Sequence, residues 1–538
     1  MEAKILIRIF SAAIFTAFVL CDSVIFAAKP PPVKEIIYIP HDDRPISLKQ
    51  TADVIERAGY KVITPPKNLL GNRNSLGNPE GLWKWYEAFM KQAQKNKKIE
   101  IVASVLSSDS LLYGSLVGSR KHNYTERELF ARVKKFAEIR KKYPNSPLYV
   151  FSSIMRTPRS AAASGHMEPK YYDNYGEDIF RYTALLDKQE SVGLNKRNEK
   201  ELAFLRNLLP KSALSDWQGR RNKNFNANKA LIDLAKNNTF NYLLLGRDDN
   251  APYSATHAER RKLLKYSLSL SNDVERTAAG IDEAGMLLLT RAVLKDKQLS
   301  PYIYVRYNWG SGEFVVPAYS DEAIDYSIND EIEIAGATRT DDAKNADLIL
   351  TVNTNPNGKT GDGALYSNDI KAREGTRYFV DTIEEYLAMK KPVAVADIAF
   401  ANGADNALME TLKKRNLLFK LTGYAGWNTA TNSTGFAIGY SLLAKNMDKA
   451  NKDALLKARY LDDWLYQGNI RTIVARQLTW LNGDGVYGAL NDKREWAEDR
   501  VHHIFESFLR EDLPVVKASD IKIDLPWNRM FEADIVMK

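Results

Sequence analysis

Residues 36–45 read IIYIPHDDRP, an uninterrupted apolar run that ends in a cluster of charged side chains. Three other stretches have the same form: IVASVLSSDS at 101–110, YLLLGRDDNAP at 242–252 and FKLTGYAGWNTATNS at 419–433. Apolar runs without alternation are typical of strands covered on both faces, as in a parallel sheet. Because parallel strands end at one edge of the sheet, the polar clusters that follow them predict a functional site there.

Strand-like runs alternate with segments of helical periodicity, which predicts an α/β fold with mainly parallel sheets flanked by helices. The predicted strands are 36–39, 61–64, 100–106, 148–152, 242–245, 302–307, 348–352, 393–398 and 419–423. The predicted helices are 47–57, 125–142, 198–209, 228–237, 273–294 and 381–389, with Ser47 and Asn78 as candidate N-terminal caps.

A chain of 538 residues exceeds the size at which one hydrophobic core usually stops growing, so we expect more than one unit. The composition predicts a signal peptide at 1–28 and an N-terminal α/β domain at 29–298. A second α/β domain is predicted at 299–445. Residues 446–538 are predicted to form a C-terminal helical appendage with an extended tail that docks on another unit.

The first 28 residues have the order of a secretory signal: Lys4 and Arg8 precede an apolar run at 9–20, and small residues follow at 27–28. We therefore expect an extracytoplasmic protein, with an uncleaved N-terminal anchor as the alternative and no stable membrane span after cleavage. The one cysteine, Cys21, lies inside this segment behind Leu20, a pattern that disfavours lipidation. The mature chain then holds neither a disulfide nor a cysteine nucleophile.

The net charge of +9 comes from basic residues that are spread among acidic and apolar positions. This distribution predicts a solvated surface rather than a nucleic-acid-binding face, so no nucleic acid is expected as a partner. The sequence holds neither a GxGxxG fingerprint after a strand nor a GxxxxGK[ST] loop. Dinucleotide and P-loop nucleotide binding therefore lose support.

Two acidic pairs follow separate predicted strands, and each is flanked by an arginine. The candidate residues are Asp42, Asp43, Arg44, Arg247, Asp248, Asp249 and Asn250. If both strands belong to one sheet, these side chains converge at its carboxyl edge, where repulsion between like charges raises the pKa of at least one carboxyl. The alternative is that the aspartates only cap helices and form turns.

Other polar clusters add four candidates. Asp109 suits recognition of a substrate hydroxyl, or it caps a helix. Arg156 binds an anionic substrate group or neutralises the aspartates. Trp427 and Asn428 combine a ring with an amide, as sugar-binding sites do, although a buried tryptophan in a glycine-rich turn explains them equally well.

The phrase GIDEAG at 280–285 supplies two further acidic residues, Asp282 and Glu283. Glu283 is explained equally well as a solvated helix residue. We do not include either residue among the predicted site residues.

No cofactor is predicted. The six histidines lack HExxH spacing, which disfavours zinc. A divalent cation held by carboxylates is the alternative, and its candidate ligands are Asp42, Asp43, Asp109, Asp248 and Asp249.

Together, the phrases HDDRP, GRDDNAP, GWNTATNSTG and PWNRMFE resemble an exported bacterial family catalogued as domain of unknown function 4127, over nearly the whole mature chain. The resemblance implies no activity. Residue chemistry alone predicts an exported hydrolase of a carbohydrate or cell-wall glycan, with Asp43 and Asp249 in proton transfer or nucleophilic attack. The alternatives are a divalent-metal-dependent hydrolase and a noncatalytic sugar-binding protein.

Overall fold

The structure is a computed structural model that describes residues 31–161, 165, 167–373, 375–481, 483 and 485–537. The predicted signal peptide at 1–28 lies outside the described residues. Within the part of the chain that is described, no helix is both long and apolar enough to cross a membrane.

The first unit contains a sheet of six parallel strands in the order β2-β1-β3-β4-β5-β6. The strands are β1 (Val33–Ile39), β2 (Lys61–Ile63), β3 (Ile99–Ser107), β4 (Leu148–Ile154), β5 (Tyr242–Arg247) and β6 (Glu275–Ala279). The helices are α1 (Lys49–Arg57), α2 (Pro79–Ala93), α3 (Ser108–Tyr113), α4 (Gly118–Lys121), α5 (Glu126–Lys142), α6 (Tyr172–Ser191), α7 (Lys196–Leu208), α8 (Lys211–Lys236), α9 (Ala255–Ser267) and α10 (Ala284–Asp296).

The second unit contains five parallel strands in the order β13-β11-β9-β7-β8, beside a small parallel pair, β10 and β12. The strands are β7 (Tyr302–Tyr307), β8 (Thr338–Arg339), β9 (Leu348–Asn353), β10 (Gly361–Asp362), β11 (Val393–Asp397), β12 (Phe400–Ala401) and β13 (Gly423–Ala425). The helices are α11 (Ile324–Ile334), α12 (Thr376–Ala388), α13 (Asn406–Lys414) and α14 (Ala430–Ala444).

The C-terminal region is helical and ends in an antiparallel strand pair. Its elements are α15 (Lys449–Arg459), a π-helix (Tyr460–Ile470), α16 (Arg471–Trp480), α17 (Arg494–Asp512), β14 (Ile521–Asp524) and β15 (Asp534–Met537). Trp464 and Phe505 are buried with Ile349 and Val395, so these helices cover the outer face of the second sheet. The predicted α/β class, with mainly parallel sheets and C-terminal helices, is confirmed.

The two sheets enclose a shared layer of helices. Alternate residues of β1 face opposite sides: Ile37 belongs to a core with α2, α5 and α8, whereas Ile36 belongs to a core with α10 and α14. Leu350 and Ala396 of the second sheet belong to that same inner core. The two units are therefore joined by one continuous apolar interior, and the boundary predicted at 298/299 falls between α10 and β7.

Small residues on α14 allow α10 to approach closely. A Cβ atom on Gly439 would lie 2.8 Å from Cγ of Met286, and one on Gly435 would lie 2.5 Å from Cγ of Glu283. Thr290 donates a hydrogen bond to the Gly439 carbonyl at 3.0 Å. This close packing sets the spacing between the two sheets.

Two predicted elements were wrong in part. The helix predicted at 273–294 contains β6, because pairing with β5 outweighs the weak local preference of ERTAA. The strand predicted at 419–423 is a 3₁₀ turn at Leu418–Lys420, followed by β13. Asn78 caps α2 as predicted. Ser47 instead places its hydroxyl 3.0 Å from Nε2 of His41.

Two acidic side chains are buried in the shared helical layer. Glu283 precedes α10, and Glu331 lies on α11, where it accepts a hydrogen bond from Thr434 of α14 at 2.9 Å. Burial raises the pKa of Glu283 to about 8, and the charges of Asp282 and Asp248 add to the effect. Burial and the neighbouring Glu283 also raise the pKa of Glu331. Both carboxyls are therefore stabilised in their neutral form.

We expect Glu283→Gln to weaken the pH dependence of folding. Between the ordinary glutamate pKa of 4.5 and about 8, the folded protein retains a proton that the unfolded chain has lost, so stability falls as pH rises through this window. Glutamine does not ionise, so the variant lacks this loss of stability. Urea denaturation across the window should show a smaller loss for the variant, whereas the exposed control Glu506→Gln should follow the parent protein. Parallel curves for Glu283→Gln and the parent would contradict this prediction.

Candidate functional site

The carboxyl edges of the two sheets face a common cleft of about 830 Å³, including its opening to solvent. The first sheet contributes residues that follow four of its strands, the second contributes a residue that follows β13, and the small β10–β12 pair contributes one that follows β12. These residues are Asp42, Arg156, Asp248, Asp249, Asp282, Asn402 and Asn428. The cleft is therefore positioned by both sheets, as expected for an α/β ligand site.

Asp282, which follows β6, gathers donors from both units. Arg44 contacts its two carboxylate oxygens at 2.7 and 3.2 Å, and Asn428 donates to it at 3.0 Å. Nε2 of His41 lies 3.2 Å from the same carboxylate. Burial acts to raise the pKa of Asp282, but Arg44 and His41 outweigh it and hold the pKa well below its ordinary value. Asp282 is therefore an ionised anchor.

Asp42 supports this anchor from the end of β1. Its carboxylate accepts from Nε of Arg44 at 2.8 Å and from the Arg44 backbone N–H at 3.1 Å. Burial acts to lower the pKa of His41, but the charges of Asp42 and Asp282 outweigh it and raise the pKa. The arginine is thus held rigidly between two carboxylates.

A second ion-pair cluster lies at the ends of β4 and β5. Glu168 accepts from Arg120 at 3.0 Å and from Arg156 at 2.9 Å. The other arms of these arginines reach Asp248 at 3.1 Å and Asp249 at 2.8 Å, respectively. Burial raises the pKa of Asp248 to about 6, and the charge of Asp249 adds to this while Arg120 opposes it. Asp248 is therefore a carboxyl that gains and loses its proton in a mildly acidic range.

Asp249 differs from its neighbours in conformation and exposure. Its φ of +25° lies in a region that non-glycine residues seldom occupy. Its side chain is 23% exposed, more than those of Asp42, Asp248 and Asp282. A strained residue at the end of a central strand, with an accessible carboxylate, is typical of a functional position.

Arg247 lines the cleft from β5 and is held from behind. Its guanidinium lies 3.1 Å from Asp321 and 2.6 Å from Glu322. Thus Arg247, like Arg44, Arg120 and Arg156, forms ion pairs with carboxylates of the protein itself.

The C-terminal segment forms one wall of the cleft. Trp527 and Asn528 both have positive φ values, +59° and +53°, which turn the chain sharply. The Trp527 indole donates to Oδ1 of Asp43 at 2.6 Å. The guanidinium carbons of Arg44 and Arg529 lie 5.3 and 4.8 Å from the indole centroid. The tryptophan is thus fixed by one hydrogen bond and two cation–π contacts.

The structure brings most of the predicted site residues together. Those that line the cleft are Asp42, Arg44, Arg156, Arg247, Asp248, Asp249 and Asn428. Four others, Asp43, Asp109, Asn250 and Trp427, lie outside the lining formed by the described residues. The catalytic or binding roles assigned to these four stay predictions.

The positions of these four side chains have local explanations. Asp43 receives the Trp527 indole. Asp109 accepts from the hydroxyl and backbone N–H of Ser153 at 2.8 and 3.0 Å, and it ties β3 to β4. Asn250 accepts from the Ser254 hydroxyl at 2.9 Å, and Trp427 is buried in the inner core.

Several cleft residues were missed by reasoning from sequence. Asp282 was noted, but the segment before it was assigned to a helix, so its place at a strand end was hidden. Arg120 and Tyr319 lie more than ten residues beyond the nearest predicted strand, and Asn402, four residues after the strand predicted at 393–398, was not singled out. The phrase PWNRMFE, in the tail predicted to dock on another unit, was the signal for the C-terminal wall.

Comparison with known proteins adds the family. A model described as "Protein of unknown function (DUF4127)" matches residues 36–536. The chain belongs to the DUF4127 family. No curated protein and no solved structure shows significant similarity to it.

Metal binding in this DUF4127 chain can be tested against the donor geometry. Among the described residues, no three His, Cys, Asp or Glu side chains are grouped so that they could hold a metal ion. His166 lies outside the described residues. Dependence on a divalent cation therefore stays a prediction.

We expect Trp527→Phe to lower the free energy of unfolding by about 1–3 kcal/mol at neutral pH. The reason is that the largely buried carboxylate of Asp43 loses its hydrogen-bond donor. Burial already raises the pKa of Asp43, and loss of the indole N–H raises it further, so the cost should shrink toward about pH 4. Urea denaturation at both pH values measures it.

The control for this prediction is a double-mutant cycle. In an Asp43→Ala background, Trp527→Phe should cost much less, because the acceptor is already gone. Equal costs in both backgrounds would mean that the hydrogen bond does not hold the wall.

Proposed function

We propose that this DUF4127 protein is an extracytoplasmic hydrolase of a carbohydrate or cell-wall glycan and that it uses carboxylate acid–base chemistry. The observation that carries the proposal is the pair Asp248 and Asp249 at the end of β5, in one cleft. Burial raises the pKa of Asp248 to about 6, whereas the side chain of Asp249 is the most exposed of the four aspartate side chains that line the cleft. Adjacent carboxyls in different environments suit the roles of acid and of base or nucleophile.

Asp248 acts as the general acid in this proposal. Its protonated carboxyl donates a proton to the glycosidic oxygen while the bond from that oxygen to the anomeric carbon breaks. Asp249 either accepts a proton from the water that adds to the anomeric carbon, or it attacks that carbon and is later released by water. Both routes consume one water and yield two hydroxyl products. In the first route, exchange with solvent takes the proton from Asp249 and returns one to Asp248; in the second, Asp248 regains its proton from the attacking water.

This assignment replaces Asp43 by Asp248 in the catalytic pair. Asp43 lies outside the cleft lining formed by the described residues, and its carboxylate accepts a hydrogen bond from the Trp527 indole at 2.6 Å. Asp43 is therefore better suited to holding the wall, while Asp249 keeps its proposed role.

The rest of the lining suits a sugar. Amides from Asn402, Asn428 and Asn432 can donate to and accept from ring hydroxyls, and the ring of Tyr319 offers a face for stacking. Ionised Asp282 stabilises positive charge that develops at the anomeric carbon, although the positive charge of Arg44 weakens this effect.

A noncatalytic sugar-binding protein is the second candidate. It is favoured by the ion pairs that Arg44, Arg120, Arg156 and Arg247 make within the protein, which preorganise a cleft for binding without requiring turnover.

Product release tests the proposal. Mass spectrometry of bacterial wall glycans and plant or host oligosaccharides should reveal cleavage by the mature protein. Asp249→Asn and Asp248→Asn should each lower the rate by a factor of about 10²–10⁴. The exposed control Asp492→Asn should retain the rate. No product from any glycan would favour the binding protein, and chelator-sensitive activity restored by Mg²⁺ would favour the metal-dependent alternative.

The pH profile of kcat/KM should report Asp248. Because the acid must be protonated in the free enzyme, we expect activity to fall as pH rises through about 6. The residual activity of Asp248→Asn should lack this alkaline limb, whereas that of Asp249→Asn should retain it. An identical limb in Asp248→Asn would assign the acid to another group.

A further inference from the structure

A second concave surface lies at the carboxyl end of β7, between the loop that follows this strand and α12. This groove contains about 1760 Å³, including its opening to solvent. Three large rings that line it are exposed: Trp309 by 60%, Phe314 by 76% and Tyr378 by 71%. Grouped exposed rings of this kind mark an interaction site.

The loop that carries two of these rings is fixed by backbone contacts. A Cβ atom on Gly375, at the start of α12, would lie 3.5 Å from Cβ of Trp309. Gly310 has a φ of +103°, and a Cβ there would lie 2.5 Å from the Pro356 carbonyl oxygen. The Ser311 N–H donates to that same oxygen at 3.4 Å. The backbone of this loop is thus held in place before any ligand binds, which lowers the entropic cost of binding.

Polar side chains lie among the rings. Arg306, Asn308, Glu313, Asp341 and Thr382 share the lining, so the groove offers hydrogen-bond donors and acceptors of both charge signs. A purely apolar partner would leave these groups unpaired, and a strongly charged one would meet its own sign. A polyhydroxyl ligand with apolar ring faces satisfies both features, because sugar rings stack on aromatic side chains and their hydroxyls donate and accept.

The groove and the cleft are connected through two loops. The loop that begins with Asn308 ends near Tyr319, which lines the cleft. The Ala318 N–H donates to Thr360 at 3.3 Å, and Asp362 accepts from the cleft residue Asn402 at 3.1 Å. One loop, residues 308–319, therefore runs from the groove lining to the cleft lining.

We propose that this groove binds a glycan chain and that the substrate of the protein is a polymer that also enters the cleft. The groove's ligand is inferred from its own lining; only the link to cleavage rests on the proposed function. Trp309 and Tyr378 stack on sugar rings, and Arg306, Glu313 and Thr382 bind hydroxyls.

The test measures retention on insoluble bacterial peptidoglycan, chitin and cellulose, using the mature chain with Asp249→Asn to prevent turnover. Adding Trp309→Ala or Tyr378→Ala should weaken retention on at least one glycan by about five- to tenfold, since a lost stacking contact is worth roughly 1 kcal/mol. The matched control is Trp480→Ala, which removes a ring that is 81% exposed on α16, outside the groove.

The outcomes separate the two proposals. Retention that depends on the rings supports glycan binding by the groove, whether or not the parent protein, which keeps Asp249, releases product. If it releases none, that result counts only against the proposed hydrolase activity. Equal retention of the groove and control variants, or retention on none of the glycans, would overturn the groove. Retention that is abolished by protease treatment of the peptidoglycan would also overturn it and assign the surface to a protein partner.

Discussion

The Asp282 carboxylate is the constraint on which the alignment of the two units depends. It is buried, and its partners come from the end of β1, through His41 and Arg44, and from the end of β13, through Asn428. Displacing the end of β13 would remove the Asn428 hydrogen bond, whereas displacing the end of β1 would remove Arg44 and His41 and leave a nearly bare carboxylate, which costs several kcal/mol. Close packing of α10 on α14 sets the same alignment from the apolar side.

The cleft carries far more buried charge than folding requires. Glu168 holds two arginines whose other arms reach Asp248 and Asp249, so each guanidinium is fixed at both ends. Buried ion pairs contribute little net stability, because desolvation offsets their attraction. They fix Asp248 in a buried position where desolvation and the charge of Asp249 raise its pKa although Arg120 lowers it, which is a functional rather than a stabilising arrangement.

Sequence patterns predicted the parts of the fold that depend on local composition. Continuous apolar runs identified β1, β3, β4, β5 and β7, and the polar residues behind several of them do converge. The pattern did not distinguish Asp42 from Asp43, because the direction of each side chain after β1 depends on the turn. It also missed β6, whose pairing with β5 comes from tertiary context, and thereby the place of Asp282.

The C-terminal wall could not have been derived from local rules. Asp43 and Trp527 are separated by 484 positions, and the turn that joins them requires positive φ at Asn528 and at Trp527, a bulky residue that does not favour it. That strain is offset by Tyr466, which donates to the Met530 carbonyl at 2.7 Å, and by Arg471, which donates to the Phe531 carbonyl at 2.9 Å. Since Tyr466 lies in the π-helix and Arg471 directly follows it, the irregular helix, the strained turn and the first strand of the chain form one support for the cleft.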